Sequence, residues 1–114
     1  QRRGAAPAPA AAGPAPRHLP STLVVLQGPT GGRAHQLGSA PVTMGRSSEC
    51  DIPLEDDYAS GRHARLFPQG TRWFLEDLGS TNGTYVNGAP VTRAVPVGPG
   101  TAIRIGKTVM ELEA

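Results

Sequence analysis

Four short motifs in the sequence carry the side chains best suited to chemistry. In order, they are Gly45-Arg46, Ser60-Gly61-Arg62-His63, Ser80-Thr81-Asn82-Gly83-Thr84 and Val86-Asn87-Gly88. Each falls at the predicted end of a strand or in a loop, and loops at one edge of a β-sandwich converge in space. A guanidinium, hydroxyl groups and backbone N–H groups together suit a tetrahedral dianion. The motifs therefore predict a phosphate-binding site built from several loops.

Each of these residues also has an ordinary structural explanation when it is considered alone. Arg46 is typical of surface arginines at strand ends, and Ser60 suits a turn or a helix cap. We expect His63 to be a structural histidine that is hydrogen-bonded beneath its loop. Asn82-Gly83 is by default a hairpin turn, although such a turn can also present an amide to a ligand. It is the combination of motifs that favours a binding site.

The spacing of Ser60 and His63 raises the alternative of a hydrolase with a serine nucleophile. Such a serine needs an oxyanion hole and a base that is oriented by a third group. No G-x-S-x-G motif surrounds Ser60, and the carboxylates form no recognisable pair. We therefore expect a binding protein and not an enzyme. We also expect no cofactor and no metal, because no cysteine and histidine cluster has the spacing of zinc ligands.

The distribution of charge argues against a nucleic-acid-binding protein. The 114 residues carry 11 basic and 9 acidic side chains, which gives a net charge of +2. Arg2, Arg3 and Arg17 lie in the first 22 residues, which include no acidic residue, so the rest of the chain is about neutral. A general polyanion binder needs a basic face that releases counterions from many phosphates. Binding of nucleic acid, or of an unmodified protein surface, is kept as the alternative function.

From Thr22 onward the sequence predicts an all-β protein without a substantial helix. Glycine (15) and proline (12) are abundant, and the apolar runs are short, which favours two packed antiparallel sheets. Gly31-Gly32, Asn82-Gly83 and Asn87-Gly88 predict hairpin turns. The predicted strands span 22–27, 33–37, 42–46, 64–67, 72–77, 84–86, 101–105 and 108–112, with small strands near Ile52 and Val91 and a single turn over 56–60.

Residues 1–21 differ from the rest and predict a flexible linker ahead of a domain over 22–114. Prolines at positions 7, 9, 14, 16 and 20 oppose helix formation by the many alanines between them. The first residue is Gln1, which suggests a piece cut from a longer polypeptide, and no signal peptide is evident. The single cysteine, Cys50, cannot form an internal disulfide, so we expect a reducing, cytoplasmic compartment.

From Thr22 to the C-terminus, these motifs resemble those of the forkhead-associated (FHA) family. The resemblance implies an FHA-type β-sandwich that binds a phosphothreonine-containing segment of a partner protein. It implies that Arg46 and Ser60 hold the phosphate and that Thr81 assists them. It further implies that Asn82 hydrogen-bonds the ligand backbone, and that a small pocket receives the γ-methyl group which distinguishes phosphothreonine from phosphoserine.

The same resemblance assigns structural roles to other motif residues and reveals one departure from the family. Gly45, His63 and Gly83 are implied to shape the loops of the site. Many members of the family have a polar residue immediately after the motif serine, where this chain has Gly61. The next residue, Arg62, is the candidate that compensates by contacting the ligand.

Three segments also resemble a narrower group, the actinobacterial FHA proteins of the cell-division and cell-wall gene cluster. They are DDYASGRHARL, EDLGSTNGTYV and RIGKTVMEL. In that group a membrane anchor and a linker precede the domain, and transmembrane Ser/Thr kinases phosphorylate its partners. We therefore expect a monomeric domain that does not itself contact the membrane, tethered to its cytoplasmic face through a preceding segment.

Overall fold

The computed structural model describes residues 22–114, which form eleven strands and no helix. The predicted linker over 1–21 lies outside the described residues. The strands are β1 Thr22–Gln27, β2 Ala34–Gln36, β3 Val42–Gly45, β4 Ile52–Pro53, β5 Ala64–Gln69, β6 Arg72–Asp77, β7 Tyr85–Val86, β8 Ala89–Pro90, β9 Val95–Val97, β10 Ala102–Ile105 and β11 Thr108–Glu113. The predicted all-β class is confirmed.

The strands form a six-stranded sheet and a five-stranded sheet. Their orders are β2-β1-β11-β10-β7-β8 and β4-β3-β5-β6-β9. In the six-stranded sheet β1 runs antiparallel to β11, with Thr22 opposite Glu113. The β3–β4 pair is parallel, with Met44 opposite Ile52, so the prediction that neighbouring strands are antiparallel is wrong there. The segment 46–51 brings the chain back beside β3, so that the two residues of β4 run in the same direction as the end of β3.

Two of the sequence-based predictions about strands and turns need correction. The strand β9 was missed because Pro96 interrupts its apolar pattern; Pro96 is tolerated there because β9 is an edge strand that pairs only with β6. Asn82-Gly83 does not form a hairpin, since it connects β6 of one sheet to β7 of the other. The Asn87-Gly88 turn does join the paired strands β7 and β8, and both its residues have positive φ.

The core lies between the two sheets and follows the predicted alternation along the strands. Ile103 and Ile105 are fully buried, whereas Arg104 between them is exposed. Trp73 is the largest buried side chain. The other fully buried apolar side chains of this core are Leu23, Val25, Met44, Leu54, Ala64, Leu66, Leu75, Met110 and Leu112.

A buried carboxylate fixes the loop between β4 and β5 against the β10–β11 hairpin. Asp56 is only 1% exposed and accepts hydrogen bonds from the N–H of Tyr58 (2.9 Å), the N–H of Lys107 (2.9 Å) and the hydroxyl of Thr108 (2.8 Å). The backbone also turns here as predicted, because the N–H of Ala59 donates to the carbonyl of Asp56. Burial alone would raise the pKa of Asp56, but these hydrogen bonds outweigh it, and the pKa is lowered.

Replacing this carboxylate should weaken the fold and change its response to acid. Asp56→Asn removes a charged acceptor from buried donors, so we expect the free energy of unfolding to fall by about 1–3 kcal/mol. Because folding lowers the pKa of Asp56, its contribution is present above the unfolded-state pKa of about 4 and is lost as the pH falls through the folded-state value. Urea unfolding at a series of pH values would measure both effects. A variant whose stability falls with acid as steeply as that of the wild type would contradict this role.

Candidate functional site

The end of β3 packs directly against the loop that carries Ser60. The N–H of Arg46 donates to the carbonyl of Ser60 (2.9 Å), and the N–H of Ser47 donates to the carbonyl of Gly61 (3.1 Å). A Cβ atom on Gly45 would lie 2.8 Å from the Ser60 carbonyl oxygen and closer still to that of Gly61. Glycine is therefore required at position 45, because only glycine lets the two backbones approach this closely.

The guanidinium of Arg46 lies at the surface and is available to an anion. Its side chain is 59% exposed, and Nη2 lies 3.6 Å from Oδ1 of Asp57, whose side chain is 90% exposed. Exposed ion pairs of this kind contribute little to stability. An incoming dianion can therefore compete with Asp57 for the guanidinium.

Ser60 also contacts the loop between β6 and β7. The N–H of Thr81 donates to Oγ of Ser60 over 3.1 Å. Since Oγ accepts this bond, its own hydrogen stays free for a ligand. The structure thus brings Arg46, Ser60 and Thr81 together at one edge of the sandwich, and we refer to these three residues as the binding rim.

The loop that presents Thr81 is held by a second carboxylate, Asp77, at the end of β6. Its oxygens accept from the N–H of Ser80 (2.9 Å), the hydroxyl of Ser80 (2.5 Å) and the hydroxyl of Thr84 (2.6 Å). Ser80 Oγ in turn accepts from the N–H of Gly83. Burial alone would raise the pKa of Asp77, but these hydrogen bonds and the nearby His63 lower it. Asp77 was not predicted as a site residue; its position three residues before Ser80 is the signal that would have revealed it.

His63 joins the two loops from beneath. Its side chain is fully buried; Nδ1 accepts from the N–H of Ser60 (2.9 Å), and Nε2 donates to the carbonyl of Gly83 (2.9 Å). Both ring nitrogens are therefore engaged with backbone groups. Neither is bonded to the hydroxyl of Ser60, so the arrangement supplies no general base for a serine nucleophile.

Asn82 lies beside the binding rim and bonds to the neighbouring loop. Its Nδ2 donates to the carbonyl of Tyr58 over 2.9 Å. One amide hydrogen and the amide oxygen remain for a ligand. The side chain is exposed, so these groups are within reach of a peptide lying across the rim.

Gly61 and Arg62 follow Ser60 in the same loop and lie beside the segment 46–51. A Cβ atom on Gly61 would meet nothing within 4 Å, and its carbonyl also accepts from Sγ of Cys50 (3.1 Å). Arg62 lines a pocket of about 140 Å³ together with Thr43, Ser47, Glu49 and Cys50. Within residues 22–114, no group of acidic, histidine and cysteine side chains is arranged to hold a metal ion, and no helix could cross a membrane.

Comparison with known proteins agrees with this geometry. The model of the FHA domain family matches residues 42–106, and the chain belongs to the forkhead-associated family. Members of this family are binding modules, which confirms the prediction that the chain is not an enzyme.

Mycobacterial proteins are among the relatives. The FHA domain-containing protein FhaB of Mycolicibacterium smegmatis is 54% identical over 96 residues, which is 84% of this chain and 62% of the relative. The glycogen accumulation regulator GarA of the same species is 41% identical over 85 residues, covering 75% of this chain and 53% of the relative. The chain thus spans less than two thirds of the length of either relative. Their origin confirms the resemblance to actinobacterial FHA proteins.

Solved FHA structures share the fold closely. The FHA domain of FhaA, in complex with the intracellular domain of Rv3910, aligns with a TM-score of 0.71 and 34% identity, covering 79% of this chain and 96% of that one. A chain from a structural and functional analysis of phosphothreonine-dependent FHA domain interactions aligns with a TM-score of 0.73 and 33% identity, covering 82% and 94%.

Because both ring nitrogens of His63 bond to backbone groups of the loops, replacing His63 should lower the stability of the fold. His63→Ala leaves the Ser60 N–H and the Gly83 carbonyl without partners and opens a cavity, so we expect a loss of about 2–4 kcal/mol in the free energy of unfolding. Denaturant unfolding would measure it. His35→Ala is a suitable control, because Nε2 of His35 has no hydrogen-bond partner within residues 22–114. Unchanged stability of His63→Ala would refute the structural role.

Proposed function

We propose that residues 22–114 act as a phosphothreonine-dependent protein-binding module whose ligand phosphate lies on the binding rim. The observation that carries the proposal is the position of Ser60. Its carbonyl accepts a hydrogen bond from the backbone N–H of Arg46, and its hydroxyl oxygen accepts one from the backbone N–H of Thr81. These backbone bonds hold the three residues together at one edge of the sandwich, where the guanidinium of Arg46 is exposed and the hydroxyl hydrogen of Ser60 is free. We assign Arg46, Ser60 and Thr81 to the phosphate.

The charge of the phosphate makes the module respond to a kinase. Phosphorylation adds about −1.5 to −2 charges and three strong acceptor oxygens to a threonine. The guanidinium fork of Arg46 and the free hydroxyl hydrogens of Ser60 and Thr81 can form charge-assisted hydrogen bonds with those oxygens. An unphosphorylated threonine offers these donors only one neutral oxygen. Binding therefore follows modification of the partner.

The remaining motif residues complete the assignment. Asn82 binds the backbone of the ligand with the amide groups that Tyr58 leaves free, and Arg62 contacts the ligand in place of the side chain that Gly61 lacks. Gly45, His63 and Gly83 act indirectly, by fixing the loops.

We place the module in a Ser/Thr kinase pathway of cell-wall or cell-division regulation. The similarity to FhaB, and to an FHA domain bound to the intracellular domain of another protein, supports this setting. We further propose that the module is cytoplasmic, acts as a monomer, does not itself contact the membrane and does not bind nucleic acid. Attachment to the membrane through a preceding segment is part of the same proposal.

Removing the guanidinium should abolish most of the phosphate-dependent affinity. For Arg46→Ala we expect a loss of about 2 kcal/mol, or roughly thirtyfold in Kd, because hydrogen bonds to charged groups have about this value. Isothermal titration with matched peptides bearing threonine, phosphothreonine or phosphoserine would measure it. Arg72→Ala, at the β5–β6 turn, is the matched control. Equal affinity of the wild type for phosphorylated and unphosphorylated peptides would sink the proposal and favour an unmodified protein surface as the ligand.

Removing the acidic neighbour of Arg46 should have the opposite effect. In Asp57→Asn the ligand phosphate no longer has to displace a carboxylate from the guanidinium of Arg46. A negative charge near the phosphate is also removed. We expect about a twofold to fivefold tighter Kd for a phosphothreonine peptide, since an exposed ion pair has a value of up to about 1 kcal/mol. The same titration at low and high salt would check it, because the gain should shrink as salt screens the charges. Weaker binding would show that Asp57 instead orients Arg46 for the ligand.

A further inference from the structure

A second groove lies beside the binding rim and has a different chemical character. It encloses about 320 Å³ and is lined by Tyr58, Asn82, Tyr85, Arg104, Gly106 and Lys107. Asn82 follows Thr81 of the rim directly, and its amide holds the carbonyl of Tyr58. The groove therefore adjoins the place assigned to the ligand phosphate.

Two cations stand over two aromatic rings in this groove. The guanidinium carbon of Arg104 lies 4.3 Å from the ring centroid of Tyr85, and Nζ of Lys107 lies 5.4 Å from that of Tyr58. Within residues 22–114, the arginine and lysine side chains that form ion pairs are Arg33, Arg46 and Arg65, and neither of these two cations is among them. Stacking on a ring holds a cation in place without neutralising it. The groove thus presents two positioned positive charges that lack an anion.

The buried carboxylate of Asp56 forms no ion pair with either cation. Asp56 lies beneath the β10–β11 turn, where its oxygens already accept hydrogen bonds from Tyr58, Lys107 and Thr108. Gly106 lines the groove, and a Cβ atom there would lie 2.7 Å from Oδ1 of Asp56. The bonds of Asp56 hold the backbone of Lys107 in place while its side-chain ammonium stays in solvent.

We propose that this groove binds an anionic side chain of the same ligand segment, so that the domain selects phosphothreonine ligands that carry an acidic residue nearby. The inference rests on the proposed function, because the phosphothreonine at the rim brings the segment to the groove. An extended peptide advances about 3.3 Å per residue, so a side chain a few positions from the phosphothreonine reaches the groove. A carboxylate there pairs with Arg104 and Lys107, while the rings of Tyr58 and Tyr85 pack against its aliphatic stem.

The test is a set of phosphothreonine peptides with neutral flanks, in which a single aspartate is moved one position at a time. We expect one position to tighten the Kd of the wild type by about fivefold relative to the neutral peptide, which corresponds to one well-placed ion pair. In the double variant Arg104→Gln and Lys107→Gln, this ratio should fall to about one. Both side chains are exposed, so folding should be retained, and melting temperatures would verify it. The control Arg72→Gln changes an exposed cation at the distant β5–β6 turn and should keep the ratio of the wild type.

Further peptides distinguish the source of the anion. A second phosphothreonine at the favoured position that tightens binding more than aspartate does would identify a doubly phosphorylated ligand, whereas an equal or smaller gain would identify a carboxylate. Lysine at that position should weaken binding. Equal Kd values for acidic, neutral and lysine peptides at every position would overturn the inference, as would a gain that survives in the double variant. Failure of the proposed function looks different, because the phosphorylated and unphosphorylated neutral peptides would then bind equally.

Discussion

Ser60 is the point on which the geometry of the site depends. Its carbonyl fixes the end of β3 through the N–H of Arg46, and its hydroxyl oxygen fixes the β6–β7 loop through the N–H of Thr81. The end of β3 and the β6–β7 loop therefore meet at one residue. The distance between side chains on these two segments is fixed as a result. The free hydroxyl hydrogen of Ser60 sits at the centre of this arrangement. A site assembled in this way binds its ligand with little further ordering of its own chain.

Polar side chains that bond to the loops provide this rigidity; two of them are buried and Asp77 is half-buried. Asp56, His63 and Asp77 each satisfy several donors or acceptors of the loops, and none of these loops forms a regular ladder with a neighbour. Because an unmet buried polar group costs free energy, each of the three tolerates only a narrow range of loop conformations. The sandwich core fixes the positions of the strand ends, and these three side chains fix the conformation of the loops that follow the strands. The stability of the fold and the shape of the site are consequently coupled.

The sequence predicted regular features well and tertiary features poorly. Most strands of the two sheets follow apolar alternation and could be predicted from it, and the order of the motifs predicted that Arg46, Ser60 and Thr81 lie close together. Pro96 concealed β9, because its compatibility with a strand depends on the strand lying at a sheet edge. Asn82-Gly83 was wrongly assigned to a hairpin, since only the partition of β6 and β7 between sheets excludes one. The roles of Asp56 and Asp77 depend on donors such as Thr108, distant in sequence, that no local pattern reveals.

The pairing of β1 with β11 has a consequence for how the domain can be incorporated into a larger protein. The chain enters the sandwich at Thr22, opposite Glu113, while the β10–β11 turn at Gly106 lies next to the binding rim. Strand β11 has six residues and separates these places by about 17 Å. Thr22 and Glu113 thus lie together at the pole remote from the ligand. Segments that adjoin the domain at this pole can differ in length without shielding the ligand face.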